Sequence, residues 1–455
     1  MAGMDDKTFP GMEHVTKAGE GGVGPSEAGH QDPAAPARVV SPRRAQVQMR
    51  YCALDELLPA DHPARTVWQV AGTLDLSAFA APIKAREGSA GRSAIDPKLL
   101  VALWLYATMD NIASGRKLAE LCQSHVAYQW LCGEVNVNYH TLNDFRVGHA
   151  QALDALFTQV LGRLMHAGLV KIHRVSQDGL RVRASAGSSS FKRQEKLQTC
   201  LREAKEHLAD LDRLRDESPQ QAEARSEALR IAAAEDRVRR IDQAIAACQE
   251  QDAHKKERQS NPKRRAAPSR GSTTDADARR MKMADGGFRP AYNIQVASDT
   301  ASRAIVAVQA TNSGGDALLL EPMRREIERR TGQTPGEQLA DGGYVSLNNV
   351  DRATQEQVTL YMPVPEPQKE GQNPFAPRRG DTEAVAAWRQ RMGKPESQAI
   401  YQERMSTSET INADLRTWRG LGKLAVRSLG KVQCLALWSA LTYNLMHFPA
   451  AFLAG

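Results

Sequence analysis

The chain has 455 residues, 41% of them hydrophobic, with 60 basic against 53 acidic side chains and a net charge of +7. That length allows two or three domains with real cores, and the modest basic excess favours a polyanionic partner without requiring one. No apolar run reaches the roughly 18 residues of a membrane span, no secretory leader opens the chain, and no Cys-x-x-Cys pair occurs among its six cysteines; a reduced, cytoplasmic protein is expected, with neither a zinc module nor a disulfide framework.

Residues 1–46 are rich in Gly, Pro, Ala and charge and read as a disordered tail. Residues 47–169 read as an all-helical domain. Asp96-Pro97 pairs an N-cap with proline at the first helical position, just ahead of the apolar run 99–105. Ser114 can cap the next helix, and a short one carries Tyr128, Trp130 and Leu131. Thr141 is expected to open one long helix with Leu153, Leu156, Phe157, Val160, Leu161 and Leu164 on a single face. Short helices with brief turns fit a helix-turn-helix-like DNA module, with His140, Thr141, Asn143 and Arg146 as candidates to face a groove. A plain helical bundle with a polar surface is the alternative.

The pattern changes at residues 170–190, where Val170, Ile172, Val175, Val182 and Ala184 interleave with polar neighbours in the manner of strands. Residues 191–253 turn helical and highly charged. Leu197, Leu201, Ala204, Leu208 and Leu211 form one narrow apolar seam, and Ile231, Ala234, Val238, Ile241, Ile245 and Cys248 form another. With Ser218-Pro219 as a breaker, this predicts an inserted antiparallel helical hairpin, serving as a structural insertion or dimer contact in preference to a DNA contact. Residues 254–284 follow as a basic linker. Its Lys263, Arg264 and Arg265 either meet phosphates or are simply solvated. Residues 285–447 then read strand, strand, helix, strand, helix, strand, helix, with strands at 292–297, 304–308, up to Asp341 and at 358–362, and helices at 383–392 and about 397–446. The fold class expected is mixed α/β (α+β), with helices on a central sheet behind the N-terminal helical domain.

Three stretches carry chemistry: Asp178-Gly179, Asp341-Gly342-Gly343-Tyr344, and Tyr401, Arg404, Glu409 and Arg416 on a late helix. An isolated Asp-Gly marks a turn. Here each aspartate is expected to end a strand of one sheet, where neighbouring strand ends bring side chains together. Two aspartates and a glutamate supply the hard oxygen ligands that Mg²⁺ prefers, and a pair of such ions can clamp both oxygens of an in-line phosphoryl displacement. Arg404 and Arg416 on the same helix face suit phosphates, because a guanidinium bonds two oxygens at once. A surface helix with Glu/Arg pairs is the structural alternative.

These residues resemble the bacterial insertion-sequence transposases of the DDE type, over roughly residues 47–447. The resemblance is carried by 54–63, Asp96-Pro97-Lys98-Leu99-Leu100, Thr141-Leu142-Asn143-Asp144-Phe145-Arg146, Asp178-Gly179, 275–279, Tyr292-Asn293-Ile294-Gln295, 340–344 and the Tyr401/Arg404/Glu409/Arg416 set. It implies a ribonuclease-H-like core interrupted by the hairpin, and Asp178, Asp341 and Glu409 as a metal-binding triad. It also implies two Mg²⁺ ions with Mn²⁺ as a substitute, and Tyr401 and Arg404 on the DNA backbone. The partners it implies are terminal inverted repeats and target DNA, engaged by a dimer in the nucleoid. Arg416 stands where the family has lysine, and Asn412-Ala413 where many relatives have Phe-Gly. A nuclease on the same fold and a catalytically silent DNA-binding derivative are the alternatives.

Overall fold

The computed structural model describes residues 47, 51–86, 88, 93–217, 224–258, 267–367 and 371–453. The tail expected at 1–46, the breaker Ser218-Pro219 and the basic trio Lys263, Arg264 and Arg265 lie outside the described residues. Residues from Cys52 onward form one compact unit.

Among the described residues, a 3-10 turn (Leu54–Leu57) is followed by seven α-helices: α1 (Pro63–Thr73), α2 (Ser77–Ala80), α3 (Pro97–Met109), α4 (Gly115–Ser124), α5 (Val126–Cys132), α6 (Tyr139–Gly148) and α7 (Ala150–His166). Asp96 caps α3 by accepting from the Lys98 amide at 2.8 Å, with Pro97 at the first helical position. The single helix expected from Thr141 is two, α6 capped by Asn138 and α7, meeting at His149. Gly148 is a weak helix former, so a break there costs little.

The sheet begins with β1 (Arg174–Arg183). After it come β2 (Phe191–Arg193), the hairpin helices α8 (Gln194–Glu217) and α9 (Ala224–Arg258), β3 (Arg270–Ser272) and β4 (Arg279–Lys282). The hairpin helices meet through Leu197, Cys200, Ala204, Ile241, Ala244 and Cys248, a core of their own. Two strands thus fall within the stretch read as linker: β3 pairs with β2, and β4 joins the main sheet. β5 (Phe288–Asp299), β6 (Ile305–Thr311), α10 (Leu320–Thr331), β7 (Glu337–Leu339), α11 (Leu347–Gln355), β8 (Thr359–Tyr361) and α12 (Glu383–Met392) follow. β5 is antiparallel to β1 on one edge and carries β4 and β6 on the other, while β1, β7 and β8 run parallel. This is a mixed α/β fold of the ribonuclease-H-like kind.

The long helix expected from 397 to 446 is interrupted. α13 (Pro395–Arg404) runs into a π-helical turn (Met405–Glu409), then α14 (Thr410–Trp418), and the chain breaks at Gly420 before α15 (Leu429–His447) and α16 (Ala450–Leu453). Gly420 sits at φ +80°, a left-handed conformation that glycine adopts without strain. In the break, the Leu424 amide bonds the Arg183 carbonyl at 3.0 Å, tying this loop to the end of β1.

α15 is buried almost along its length, from Val432 to Leu445. It packs against α3, α6 and α7 on one side and β6 on the other, so the N-terminal helices and the sheet share one apolar core. The Trp438 indole N–H donates to the Arg146 carbonyl at 3.0 Å, and Asn444 exchanges two hydrogen bonds with Ile305. Among the described residues, no helix is long and apolar enough to cross a membrane, and all six cysteines are free.

Candidate active site

The parallel ladder between β1 and β7 pairs Arg174 with Glu337, Val175 with Gln338 and Ser176 with Leu339. Continued by two residues, the same register sets Asp178 beside Asp341, at the roughly 4.8 Å spacing of neighbouring strands. Asp341 lies two residues beyond the end of β7, whereas the strand is expected to end at Asp341 itself. Its side chain accepts from the Gly343 amide at 2.8 Å and caps the turn Gly342–Tyr344. Asp178 lies mid-strand instead of at a strand end, because Leu180 and Val182 continue the pairing with β5. Strand alternation sends Ser176 and Asp178 to one face and Gln177, Gly179 and Arg181 to the other.

The face with Asp178 is covered by the π turn. Ser176 and Ser408 hydroxyls meet at 2.5 Å. Arg174 anchors the base of this helix, reaching Glu337 at 2.5 Å and Glu403 at 2.7 Å. On a regular α-helix, Arg404 and Glu409 would point about 140° apart. The widened turn nearly closes over five residues, as π-bulges at functional sites do. Arg404 then contacts Glu409 at 3.2 Å and Asp178 at 3.5 Å. Burial works against the Arg404 charge, but Asp178, Tyr401 and Asp341 outweigh it and hold the guanidinium more firmly protonated. Burial pushes the Asp178 carboxyl up to about 6; the Gly179 amide and Arg404 oppose the rise, and Asp341 and Asp316 add to it.

Sequence patterning overlooked two residues here. Asn412, which stands out against the family pattern, donates to Asp178 at 3.2 Å. Asp316, in the loop after β6, is a fourth acid at the site. It accepts from Asn293 at 2.6 Å, Gln295 at 3.1 Å and Arg181 at 3.1 Å. Behind it runs a buried amide ladder across three strands. Gln338 donates to Gln177 at 2.7 Å, Gln177 to Gln295 at 2.8 Å, and the Tyr344 hydroxyl to Gln295 at 2.5 Å. A buried amide left unpaired costs about 1–3 kcal/mol, so these side chains help to hold the strands in register. They also explain the glycine after Asp178: a Cβ at Gly179 would stand 2.7 Å from Gln295 Nε2, 2.8 Å from Asn293 Oδ1 and 3.0 Å from Asp316 Oδ1.

The remaining expected residues are placed as follows. Tyr401 is half-buried against the core beneath β8, with Arg404 over its ring at 5.9 Å. Arg416 is exposed on α14, past Glu409. Arg146 is buried, its guanidinium 4.3 Å over the Trp104 ring and bonded to the Ala113 carbonyl at 2.6 Å; it does not stand on an open helix face as groove contact would require.

The donor set suits a hard cation. All the acids offer oxygen, burial raises Asp178 with Asp341 and Asp316 adding to the rise, and the buried Asn412 Oδ1 has no hydrogen-bond partner. As the side chains stand, with Arg404 against both Asp178 and Glu409, no three such groups among the described residues are drawn into a ligand shell.

Two family models match the chain: a transposase domain (DUF772) over residues 52–147, and a transposase DDE domain over residues 245–445. The second match contains Asp341 and Glu409, while Asp178 lies outside both. No curated protein and no solved structure matches the chain. The matched regions coincide with the N-terminal helices and with most of the sheet and its late helices, and the chain belongs to the insertion-sequence transposases of the DDE type, metal-dependent polynucleotidyl transferases.

Proposed function

We propose that this transposase cuts DNA at the ends of its insertion sequence and joins the freed 3′ ends to target DNA, with Asp178, Asp341 and Glu409 holding two Mg²⁺ ions that Mn²⁺ can replace. The observation that carries this reading is the convergence of Asp178 and Asp341 through the β1–β7 register, with Glu409 delivered to the same Arg404 that touches Asp178. Bound metal would supply charge stabilisation for the attacking and leaving oxygens of the phosphodiester. Arg404 turns from the carboxylates to a backbone phosphate, and its unpartnered Nε is available for a second bond. Tyr401 backs Arg404 from beneath, Asn412 fixes the orientation of Asp178, and Arg416 extends the phosphate contact along α14. Lys263, Arg264 and Arg265 add phosphate contacts ahead of the catalytic core.

In this reading residues 47–169 recognise the terminal repeat, 170–190 with 285–447 form the catalytic core, and 191–253 form an arm through which two copies pair the ends in the cytoplasm. The test is a cleavage and joining assay with labelled DNA carrying the inverted repeats that flank the gene, in Mg²⁺ or EDTA. Metal-dependent cutting at the repeat ends followed by joined products is expected. Cutting without joining would instead indicate a nuclease, and binding without cutting a silent DNA-binding derivative.

A further inference from the structure

Among the described residues, the well-buried or half-buried Arg65, Arg174, Arg181, Arg324, Arg330 and Arg389 each meet a carboxylate. A cleft of about 480 Å³ gathers cations that have no such partner. It lies where the start of α4 and the middle of α6 face the loop before α15, and Arg116, Arg146, Arg427 and Lys431 line it. Arg116 rests on the Tyr139 ring at 5.0 Å, and Arg427 Nε reaches the Ser185 carbonyl at 3.4 Å. Among the described residues, none of the four has a carboxylate within ion-pair distance, although Asp144 lies on the cleft wall.

Arg146 is the informative member. It is 5% exposed, its Nε has no hydrogen-bond partner, and burial alone pulls its pKa down to about 10. A buried cation without a counter-charge is costly unless an anion arrives to meet it. The cleft is also rigid: the Trp438 indole holds the Arg146 carbonyl, and the Trp104 indole holds that of Leu142 one turn earlier. The N-terminus of the ten-residue α4, with its outward amides, opens into the same space.

We propose that this cleft is a seat for a DNA backbone phosphate, separate from the catalytic acids and formed jointly by the N-terminal helices and the C-terminal segment. The assignment rests on the transposase reading. Ser185 lies seven residues beyond Asp178, roughly 23 Å at strand rise, which is about seven steps of a duplex at 3.4 Å each. A duplex of that length is enough to span the separation between Asp178 and the cleft.

The test is duplex binding by fluorescence anisotropy between 50 and 200 mM salt, using an end duplex and an unrelated duplex. Wild-type full-length protein is compared with Arg427→Ala/Lys431→Ala, both exposed positions. The double variant should bind both duplexes about tenfold more weakly, the scale of one charged hydrogen bond. Its plot of log affinity against log salt should be shallower by about one, the signature of one lost phosphate. Cleavage at saturating protein should be unchanged. Wild-type affinity and slope in the double variant overturn the seat, and end cleavage by wild-type protein in the same experiment would leave the transposase reading standing. Conversely, a shallower slope with no Mg²⁺-dependent cutting by wild-type protein keeps the seat and removes the catalytic reading. Arg146→Lys, checked for folding by circular dichroism, should lower affinity for both duplexes without altering cleavage at saturation; unchanged affinity in this variant also counts against the seat.

Discussion

Asp178→Asn should make the metal-free protein more stable while removing its activity. Burial sets the Asp178 carboxyl at about 6 against an ordinary 3.8. A shift of about two pK units corresponds to about 3 kcal/mol. The folded pKa is the higher one, so the folded state binds the proton more tightly than the unfolded chain, and ionised Asp178 costs stability. That cost is fully present above pH 6, shrinks as pH falls from 6 towards 4, and is gone below the unfolded pKa. Asparagine keeps the shape without the charge. In EDTA at pH 8 the variant should therefore resist urea by up to about 3 kcal/mol more than wild type, and the two curves should converge near pH 4. Excess Mg²⁺ should stabilise wild type and leave the variant nearly unmoved, since a ligand stabilises only the state that binds it. An advantage that is absent at pH 8, or equal at pH 8 and pH 4, would refute the idea that buried negative charge at Asp178 is what a cation relieves.

Asp341→Asn should abolish strand cleavage while leaving binding to end duplexes within a few-fold of wild type; cutting near the wild-type rate would remove Asp341 from the triad. Arg404→Ala should weaken both end binding and cleavage, yet bind Mn²⁺ more tightly in the absence of DNA, because the guanidinium no longer occupies Asp178 and Glu409; Mn²⁺ titration followed by electron paramagnetic resonance reads this directly. Gly179→Ala should cost about 1–3 kcal/mol in urea unfolding and most of the cleavage rate, since the atoms it meets belong to a fixed hydrogen-bonded ladder. Deleting residues 191–250 should abolish pairing of two ends in native gels, and an intact paired complex would assign the arm another role.

Local pattern in the sequence determined a good deal of this protein. Helical periodicity and the Asp96-Pro97 cap located the N-terminal helices, because those signals arise within a few turns of chain. Period-two alternation located β1 and β5 and a short apolar run located β6 for the same reason, and the order of elements was enough for the fold class. The acidic residues stood out because hard-ligand chemistry admits few residue types.

What depends on contacts distant in the chain was decided only by the tertiary structure. The mid-strand position of Asp178 follows from its pairing with β5, which lies more than a hundred residues downstream. Asp316 and Asn412 look like a loop acid and a deviation from the family pattern until the fold brings them to Asp178 and its neighbours. The π turn that brings Glu409 round to Arg404 leaves no periodic mark in the sequence. Arg146 carries a DNA-module pattern at the level of sequence, but Trp104 and Trp438 take its helix into the common core and leave its charge lining a cleft. In each case side-chain type is encoded locally, whereas neighbours and net charge are set by packing between segments that the sequence keeps far apart.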